Sequence, residues 1–573
     1  MKAEKRWIIQ PVADENRALR EAQMEQEINV PPAISKLLVQ RGIDSFEKAK
    51  HFFRPSLEDL HDPFLMRDMD LAVDRLQKAI AEGEKILVYG DYDVDGSTAV
   101  ALFYGFLCRF YEAVDYYIPD RYAEGYGISW QSIDWAEQNG IGLIVALDCG
   151  IKSLDKVGEA ARRGIDFIIC DHHRPGDRLP AAVAVLDPKR SDCPYPYKEL
   201  TGCGIGFKLA QALASARRIP ADEVLAYLDL VMVSTAADIV PITGENRILA
   251  YHGLQLLNTS PRPGLKALMN VAGLAGEVNI TQVVFALAPR INAAGRIKHA
   301  REAVKLLLAT AVSDAEDFAI EINRYNLDRR NFDSSITDEA LVMIEQDDWL
   351  RNASSTVLYQ ENWHKGVIGI VASRCIEHYH RPTIIFTHSN GKATGSARSV
   401  PGFDLYEAIE ACAELLEQFG GHTFAAGMTL PVENVTAFRL KFDEVVRERI
   451  SPEQLIPSVS VDLEISFTDI TPKFYRLLKQ MAPFGPENMP PVFVSHGLEL
   501  YRNPYIMKEK HLKLEVHQNG TGPFTAVAFG ATGFLDQLMT KKPFSLCYTL
   551  EENVFRGNRT LQLMVKDIRM STP

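Results

Sequence analysis

The chain has 573 residues, 46% of them hydrophobic, and its 62 Lys and Arg against 75 Asp and Glu give a formal charge of −13. A dedicated nucleic-acid binder is more often basic, but net charge over several domains says little about a local groove, and acidic metal ligands add to the deficit. No run reaches the ~18 consecutive apolar residues of a membrane span, and the first residues lack the apolar core of a signal peptide. We therefore expect a cytoplasmic protein of three or four domains.

Residues 1–60 are predicted to form a helical segment, and alternating strand and helix patterns follow over residues 61–311. Three short β-branched runs in that region are typical of parallel strands buried between helices: Lys85–Gly90, Ile141–Leu147 and Asp166–Cys170. The predicted fold class is therefore α/β with a parallel sheet. Eight cysteines show no C-x-x-C spacing, so we expect reduced and mostly buried thiols.

Carboxylates and histidines follow each of the three runs. They are Asp91, Asp93 and Asp95 after the first run, Asp148 after the second, and Asp171, His172 and His173 after the third. Because the carboxyl ends of parallel strands line a common crevice, we expect these side chains to meet there. Such close carboxylates would repel one another without cations, and oxygen ligands with imidazole suit Mn²⁺ or Mg²⁺. The sequence thus predicts a site for hard divalent ions.

Each of these motifs also has an ordinary interpretation. Asp91, Asp93 and Asp95 before Gly96 look like the start of a calcium loop, but that loop needs a Glu six residues after the Gly, where Leu102 stands. An Asp-rich turn, or a surface loop carrying the two histidines, would suit each motif alone. Their coincidence at three strand ends favours the metal site.

The second half of the chain predicts a connector and two further domains. Val312–Gln346 contains neither Gly nor Pro, and its apolar residues recur every three, four or seven positions, which predicts a long amphipathic helix. We place this connector at residues 312–347 and a second α/β domain at residues 348–450. Short strands with turn signals over residues 451–573 indicate an antiparallel barrel.

Rings and cations alternate along the predicted barrel. Proteins that stack the bases of single strands use this pattern, although an ordinary charged strand surface would look similar. The residues concerned are Tyr501, Arg502, Tyr505, Lys508, Lys510, His511, Lys513, Phe555, Arg556 and Arg559.

Taken together, the motifs resemble the bacterial RecJ exonucleases of the DHH phosphoesterase superfamily, whose name matches Asp171, His172 and His173. The similar segments keep their order over nearly the whole chain: Gly90–Gly96, Ala146–Ile151, Cys170–His173, Thr201–Leu213, Ser234–Arg247, Ala288–Ile297, Lys365–Arg374, Gly395–Ser399, Phe419–Met428 and Asn553–Ile568. The resemblance implies a DHH catalytic domain, a DHH-associated domain that binds substrate, and an oligonucleotide-binding (OB-fold) barrel. Small DHH phosphatases lack the barrel.

The resemblance also implies roles for individual residues. Asp93, Asp95, Asp148, His172 and Asp238 are the implied ligands of two divalent ions, Mn²⁺ or Mg²⁺, and Asp148 bridges them. Asp91 and His173 would ligate the ions or lie directly behind the ligands, and Asp171 would orient a histidine. By its position after a helix alone, Asp238 is more typical of a surface cap than of a metal ligand.

Substrate contacts are implied in the second domain and in one segment of the first. His422, with Gly420 and Gly421 beside it, would approach the scissile phosphate, and Arg296, Ser396 and Arg398 would approach a terminal 5′ phosphate, in a patch that includes Arg290 and Asn292. Read alone, this Gly-Gly-His is equally typical of a turn, and Arg398 of a surface cation. The segment TGCGIG is not a dinucleotide loop, since Phe207 stands at the third glycine position, and we expect a tight turn near the site.

The implied activity is metal-dependent hydrolysis of single-stranded DNA from its 5′ end to nucleoside 5′-monophosphates, in recombination and repair. The implied partners are a single strand with a 5′ end, a single-stranded-DNA-binding protein and a RecQ-type helicase, and we expect a monomer. A DHH phosphodiesterase for short oligonucleotides or cyclic dinucleotides is an alternative, which the additional barrel disfavours. A replication-fork scaffold without activity is the other alternative, and the intact ligand set disfavours it.

Overall fold

The computed structural model describes residues 5–10, 15–555 and 557–571, and of residues 554 and 555 it describes the backbone alone. The chain forms two compact units. We call one the parallel-sheet unit, His51–Arg329 with Ala482–Met489, and the other the barrel unit, Met1–Lys50 with Arg330–Met481 and Pro490–Pro573.

The strands are β1 (Arg6–Ile9), β2 (Lys85–Gly90), β3 (Val114–Tyr117), β4 (Ile141–Leu147), β5 (Asp166–Cys170), β6 (Ala184–Leu186), β7 (Thr356–Gln360), β8 (Thr383–Ser389), β9 (Lys392–Arg398), β10 (Gln418–His422), β11 (Ala425–Leu430), β12 (Ser458–Val461), β13 (Leu463–Glu464), β14 (Phe493–Leu500), β15 (Tyr505–Met507), β16 (His511–Gln518), β17 (Thr521–Ala528), β18 (Phe544–Phe555) and β19 (Asn558–Met570).

The helices are α1 (Glu15–Ile28), α2 (Pro32–Gln40), α3 (Phe46–Phe53), α4 (Met69–Glu82), α5 (Val94–Leu107), α6 (Trp130–Gln138), α7 (Leu154–Arg162), α8 (Gly202–Arg217), α9 (Asp222–Leu225), α10 (Leu228–Ala237), α11 (Gly244–Thr259), α12 (Pro263–Val271), α13 (Ile280–Gln282), α14 (Ala288–Ile297), α15 (Arg301–Leu308), α16 (Val312–Gln346), α17 (Asp348–Asn352), α18 (Ile368–Tyr379), α19 (Leu405–Glu410), α20 (Val435–Arg449), α21 (Pro472–Gln480) and α22 (Leu535–Met539). None of these helices is long and apolar enough to span a bilayer.

The parallel-sheet unit is built on a five-stranded parallel sheet in the order β3-β2-β4-β5-β6. Strands β2, β4 and β5 have the bounds expected from their apolar runs. Val88 and Val145 face a large core that includes α5 and α8, whereas Leu87 and Ile144 face a smaller core formed with α6 and α7. Because both faces of the sheet are covered, these strands are apolar throughout and do not alternate with polar residues.

The barrel unit contains a mixed sheet and a closed barrel. The mixed sheet has the order β10-β11-β9-β8-β7, in which only β7 and β8 run parallel. The barrel closes over five strands, β14-β18-β19-β17-β16, through the pairing of β14 with β16. The sequence predicted an antiparallel barrel, but β17 and β19 are parallel. The reason is topological: a closed barrel of five strands cannot alternate direction at every pairing, so one neighbouring pair must run parallel, and here it is β17 with β19.

The N-terminal segment differs from the helical segment predicted for residues 1–60. It contains strand β1, which pairs in parallel with β12 from Arg6↔Ser458 to Ile9↔Val461, before α1, α2 and α3. The sequence RWII places apolar residues side by side without helical spacing, so a free strand edge satisfies its backbone better than a helix does. The long helix predicted over Val312–Gln346 is confirmed with the same bounds.

The cysteines are free, as expected, and all but Cys108 are buried. Cys149 and Cys170, which adjoin predicted metal-site aspartates, lie in the cores of the parallel-sheet unit.

Candidate metal centre

The predicted metal-site residues converge at the carboxyl ends of β2, β4 and β5. His172 Nε2 lies 3.2 Å from Asp148 Oδ1, 3.6 Å from Asp238 Oδ2 and 3.7 Å from Asp95 Oδ2. Two groups have ligand atoms within 4.8 Å of one another, namely Asp148 with His172 and His173, and Asp95 with His172 and Asp238. The two groups share His172, so they adjoin in one centre.

The electrostatics of this centre fit divalent cations. Burial and the neighbouring carboxylates raise the pKa of Asp148 well above its ordinary value, and the same causes raise the pKa values of Asp91 and Asp93. Burial, Asp95 and Asp93 raise the pKa of Asp238 to about 8. Both ring nitrogens of His172 and Oδ2 of Asp91 are buried without a hydrogen-bond partner among the described residues. Buried polar atoms are normally paired, and a bound cation would pair them here.

Helix termini hold two of the aspartates in place. Asp93 is the N-cap of α5, and its Oδ1 accepts a hydrogen bond from the Gly96 N–H at 3.0 Å. The carboxylate of Asp95 accepts from the N–H groups of Gly202 (2.7 Å) and Cys203 (2.8 Å), which begin α8. The N–H groups at the start of a helix are ready donors to a carboxylate, so the N-terminus of α8 fixes the position of Asp95.

The segment TGCGIG is therefore the start of a helix and not the tight turn predicted from the sequence. Thr201 is the N-cap of α8, and its hydroxyl accepts from the Gly204 N–H at 3.0 Å. A capping threonine lets the glycine-rich segment enter a helix, although glycine alone favours turns. The expectation that this segment lies near the site is correct, because a Cβ atom at Gly202 would lie 2.5 Å from the Cβ of Asp148.

Asp171 forms hydrogen bonds with both His172 and His173. Its Oδ1 lies 2.7 Å from His173 Nδ1 and accepts from the His172 N–H at 2.8 Å, while Oδ2 accepts from the Ile151 N–H at 2.9 Å. Burial alone would raise the pKa of Asp171, but hydrogen bonds from His173 and the backbone hold it below its ordinary value. This geometry agrees with the expectation that Asp171 orients a histidine.

Sequence reasoning missed a group of rings beside the centre. The hydroxyl of Tyr126 lies 3.0 Å from His173 Nε2 and donates to the carbonyl of Asp148 at 3.3 Å. Tyr92 packs edge-to-face on Tyr126, and the guanidinium of Arg121 lies 4.7 Å from the centre of the Tyr92 ring. The available signal was the composition of residues 118–129, in which tyrosines, glycines and Arg121 follow one another outside any strand-end motif.

Two residues of the centre have a left-handed backbone. Asp148 has φ +59° and Ile239, directly after Asp238, has φ +60°. The side chain of Ile239 is also 68% exposed. A β-branched residue rarely adopts positive φ, and such strain is concentrated at functional sites, so Ile239 belongs to the rim of the centre although no sequence signal marks it.

Helix α14 carries the predicted substrate residues Arg290, Asn292 and Arg296. The guanidinium of Arg290 donates to the Ala286 carbonyl at 2.6 Å and to Asn323 Oδ1 at 3.0 Å. Asn292 and Arg296 are four residues apart and therefore share a helix face. A Cβ atom at Gly295 would lie 2.8 Å from the carbonyl of Tyr92, so the end of α14 contacts the metal-site loop.

In the barrel unit, the mixed sheet brings the other predicted substrate residues together. Arg398 on β9 pairs with Ala425 on β11, which pairs with His422 on β10, and Ser396 connects through Gly427 to Gly420 in the same way. Directly paired residues point to the same face of a sheet, so Arg398 and His422 share one face. They lie on β9 and β10, on either side of β11, and their Cα atoms are therefore ~10 Å apart. Arg398 Nη1 donates to Ser396 Oγ at 3.1 Å. Gly421, with φ +153°, lies between Gly420 and His422 on β10 and pairs with Ala426, so its position faces the opposite side of the sheet.

Only some of the predicted strand-binding residues of the barrel lie close to one another. Tyr505 pairs with Lys513 across β15 and β16, and Arg502 lies over Tyr501 while its Nε contacts Glu515 at 3.0 Å. Lys508 and Lys510 are exposed in the adjoining hairpin. Arg559 lies apart from this set and contacts Glu552 at 2.9 Å. Arg556 and the side chain of Phe555 lie outside the described residues.

Comparison with known families identifies three domains in the order expected. A DHH family N-terminal domain matches residues 85–235, a DHHA1 domain matches residues 352–448 and a RecJ OB domain matches residues 461–567. The single-stranded-DNA-specific exonuclease RecJ of Bacillus subtilis is 38% identical over 571 residues, which cover 99% of this chain and 71% of that protein.

Solved structures give the same result. The Mn²⁺ complex of RecJ from Thermus thermophilus superposes with a TM-score of 0.85 at 26% identity, covering 99% of this chain and 80% of that one. The Mg²⁺ complex from the same organism has a TM-score of 0.78 at 25% identity, with 99% and 79% covered.

Proposed function

Because the chain belongs to the RecJ family of single-stranded-DNA-specific exonucleases, we propose that it hydrolyses single-stranded DNA from the 5′ end to nucleoside 5′-monophosphates, in recombination and repair. One observation carries this proposal beyond family membership. The chain keeps intact the buried, mutually repelling carboxylates of the metal centre and the His172 nitrogens that find no partner among the described residues. A scaffold without activity has no use for such a costly arrangement.

The cofactors are divalent ions, Mn²⁺ or Mg²⁺. Asp93, Asp95, Asp148, His172 and Asp238 would hold two such ions, with Asp91 and His173 as further candidate ligands. When bound, such ions activate water and stabilise the charge that develops on the phosphate oxygens. Oxygen ligands with one or two imidazoles suit these metals better than a thiolate-binding metal.

The chain's own residues prepare this chemistry. The N-terminus of α8 holds the side chain of Asp95 in place, because it donates to both of its oxygens. Asp171 accepts the Nδ1 proton of His173, and the Tyr126 hydroxyl, which donates to the Asp148 carbonyl, lies 3.0 Å from Nε2. The imidazole is thereby fixed in one tautomer and one orientation beside Asp148.

The row of Ser396, Arg398 and His422 supplies the substrate contacts in this proposal. Arg398 and Ser396, together with Arg296, would bind the terminal 5′ phosphate through charge-assisted hydrogen bonds, and His422 would contact the scissile phosphate. The support is that Arg398 and His422 share one face of the mixed sheet. The exposed rings and cations of the barrel would hold the strand farther from its end.

We further propose, from the family resemblance, that the protein acts as a cytoplasmic monomer that takes strands from a RecQ-type helicase and a single-stranded-DNA-binding protein. Light scattering on the purified protein tests the oligomeric state. Binding measurements with each partner, with and without DNA, test the rest.

Digestion of end-labelled strands tests the activity. The 5′ label should be released first as a mononucleotide, the 3′ label should persist on shortening strands, and a chelator should stop both. Early loss of the 3′ label, or internal cleavage of a circular strand, would contradict the proposal. A dinucleotide and a cyclic dinucleotide serve as competing substrates and distinguish a phosphodiesterase for short substrates.

A further inference from the structure

Phe285 stands out on the surface of the parallel-sheet unit. Its side chain is 77% exposed, the largest exposure of any large apolar side chain among the described residues. Its neighbours two positions away, Val283 and Leu287, are fully buried, so the segment itself is firmly packed. A ring left in water on a packed segment gives up the free energy that burial would supply.

The backbone explains why this ring points outward. Val283–Leu287 is a π-helix between α13 and α14. A π-helix accommodates an additional residue in one turn and is found most often at functional sites. The turn is anchored on both sides, because Asn279 and Gln282 form a capping box before it and Arg290 donates to the carbonyl of Ala286 at 2.6 Å. The exposure of Phe285 is therefore a property of an ordered turn.

Polar and cationic groups lie on the helices that adjoin this turn. The Arg290 guanidinium that contacts Ala286 also donates to Asn323 Oδ1 on α16 at 3.0 Å. The next residue of α16, Arg324, is 66% exposed, and Ile320, one turn earlier, is 61% exposed. Single-strand binding proteins combine exposed rings, on which bases stack, with cations that neutralise the backbone, and this unit carries both kinds of group on α14, α16 and the turn before α14.

The distance to the metal centre suits a bound strand. Gly295, which contacts the carbonyl of Tyr92 in the metal-site loop, follows Phe285 by ten residues of helical chain. At ~1.5 Å per residue these span about 15 Å, and stacked nucleotides of ~3.4 Å each would cover that distance in about four steps. A dinucleotide held at the metals is too short to reach the ring.

We propose that Phe285 is a base-stacking residue, which holds the single strand about four nucleotides from the scissile bond. The proposal rests on the proposed function and deepens it, because it places a strand contact on the catalytic unit, independent of the barrel. The ring contributes to binding and positioning of longer strands and takes no part in the chemistry.

Kinetics on substrates of two lengths test this role. In Phe285→Ala, KM for a strand of about 12 nucleotides should rise about five- to hundredfold with kcat nearly unchanged, while cleavage of a dinucleotide should stay at the parent's rate. Phe285→Trp should restore the parent's KM, and Phe285→Leu should not, since it keeps bulk without a ring. Phe64→Ala, which removes another exposed ring of the same unit, is the matched control and should behave like the parent.

A fluorescence measurement tests the same stacking role without turnover. The bases of the strand are replaced one at a time by 2-aminopurine, and its fluorescence is measured when the strand is bound to Asp148→Ala. Adding Phe285→Ala should increase this fluorescence at one or two positions near the fourth nucleotide. An unchanged KM for the longer strand, equal losses on both substrates, or uniform fluorescence would overturn the proposal. Failure of the parent to degrade single strands would instead overturn the proposed function, and unaltered thermal unfolding confirms that each variant is folded.

Discussion

The metal centre and the barrel surface differ in how far their residues are exposed and in how they are held. Asp95 and Asp148 are 1% and 2% exposed, and the N-terminus of α8 donates to both carboxylate oxygens of Asp95, whereas Tyr501 and Tyr505 are 54% and 61% exposed. A metal centre built from buried groups loses its activity when any one of those groups is removed. An exposed binding surface loses affinity gradually, because each ring contributes separately.

The largest effect is expected at the centre of the metal site. Asp148→Ala should reduce hydrolysis by at least about a thousandfold and leave strand binding almost unchanged, because the variant would lose a carboxylate that we propose holds the divalent ions, while the barrel is intact. Initial rates at saturating Mn²⁺, with binding measured by fluorescence anisotropy, check this. Hydrolysis within about tenfold of the parent would remove the assigned role of Asp148.

A second variant disturbs the same carboxylate without removing it. Gly202→Ala places a methyl group 2.5 Å from the Cβ of Asp148, so the carboxylate must shift, and a displacement of ~1 Å can lower kcat about a hundredfold. Gly158→Ala on α7 is the matched control, because its Cβ would meet no atom within 4 Å. Equal activity of the two variants would show that the contact between α8 and Asp148 is unimportant.

The barrel should respond in the opposite sense. Tyr501→Ala, Tyr505→Ala and Lys513→Ala combined should weaken binding of a strand of about 20 nucleotides by tenfold or more, and should leave dinucleotide cleavage unchanged. These point variants are preferable to deletion of the barrel. Deletion would also remove Ala482 and Pro483, whose carbonyls accept from the Arg247 guanidinium in the parallel-sheet unit. Equal losses on both substrates would make these residues structural.

The smallest effect is expected at the end of the strand. Arg398→Ala should remove most of the preference for a 5′ phosphate over a 5′ hydroxyl, about ten- to a hundredfold, because one charge-assisted contact is lost. Arg398→Lys should recover part of it, since the charge remains without the planar fork. Rates on both strand ends are compared at one salt concentration, with Arg351→Ala as a surface control. A retained preference would transfer the role to Arg296.

The sequence predicted what short-range patterns encode. Lys85–Gly90 and Ile141–Leu147 are apolar runs of strand length, and the residues directly after them become metal-site groups because parallel strands end at one edge of a sheet. The helix Val312–Gln346 was equally visible, since its apolar spacing is unbroken.

Long-range contacts and backbone strain were not visible in the same way. The hydrogen bond from Gly202 to Asp95 joins residues 107 positions apart, and no local pattern encodes it. Ile239 adopts a positive φ directly after Asp238, although isoleucine disfavours it, and no local pattern predicts this. Strand β1 was missed because its partner, β12, lies at the far end of the chain.

The central claim is that the metal centre carries out cleavage and the barrel surface supplies strand affinity. Measuring strand affinity and single-turnover cleavage in the same variants tests it most directly. The parent, Asp148→Ala and the triple variant of Tyr501, Tyr505 and Lys513 are compared on the same strand of about 20 nucleotides. Asp148→Ala should keep the parent's Kd and lose cleavage, and the triple variant should lose affinity yet cleave at nearly the parent's rate once saturated. Loss of both quantities in both variants would contradict the account.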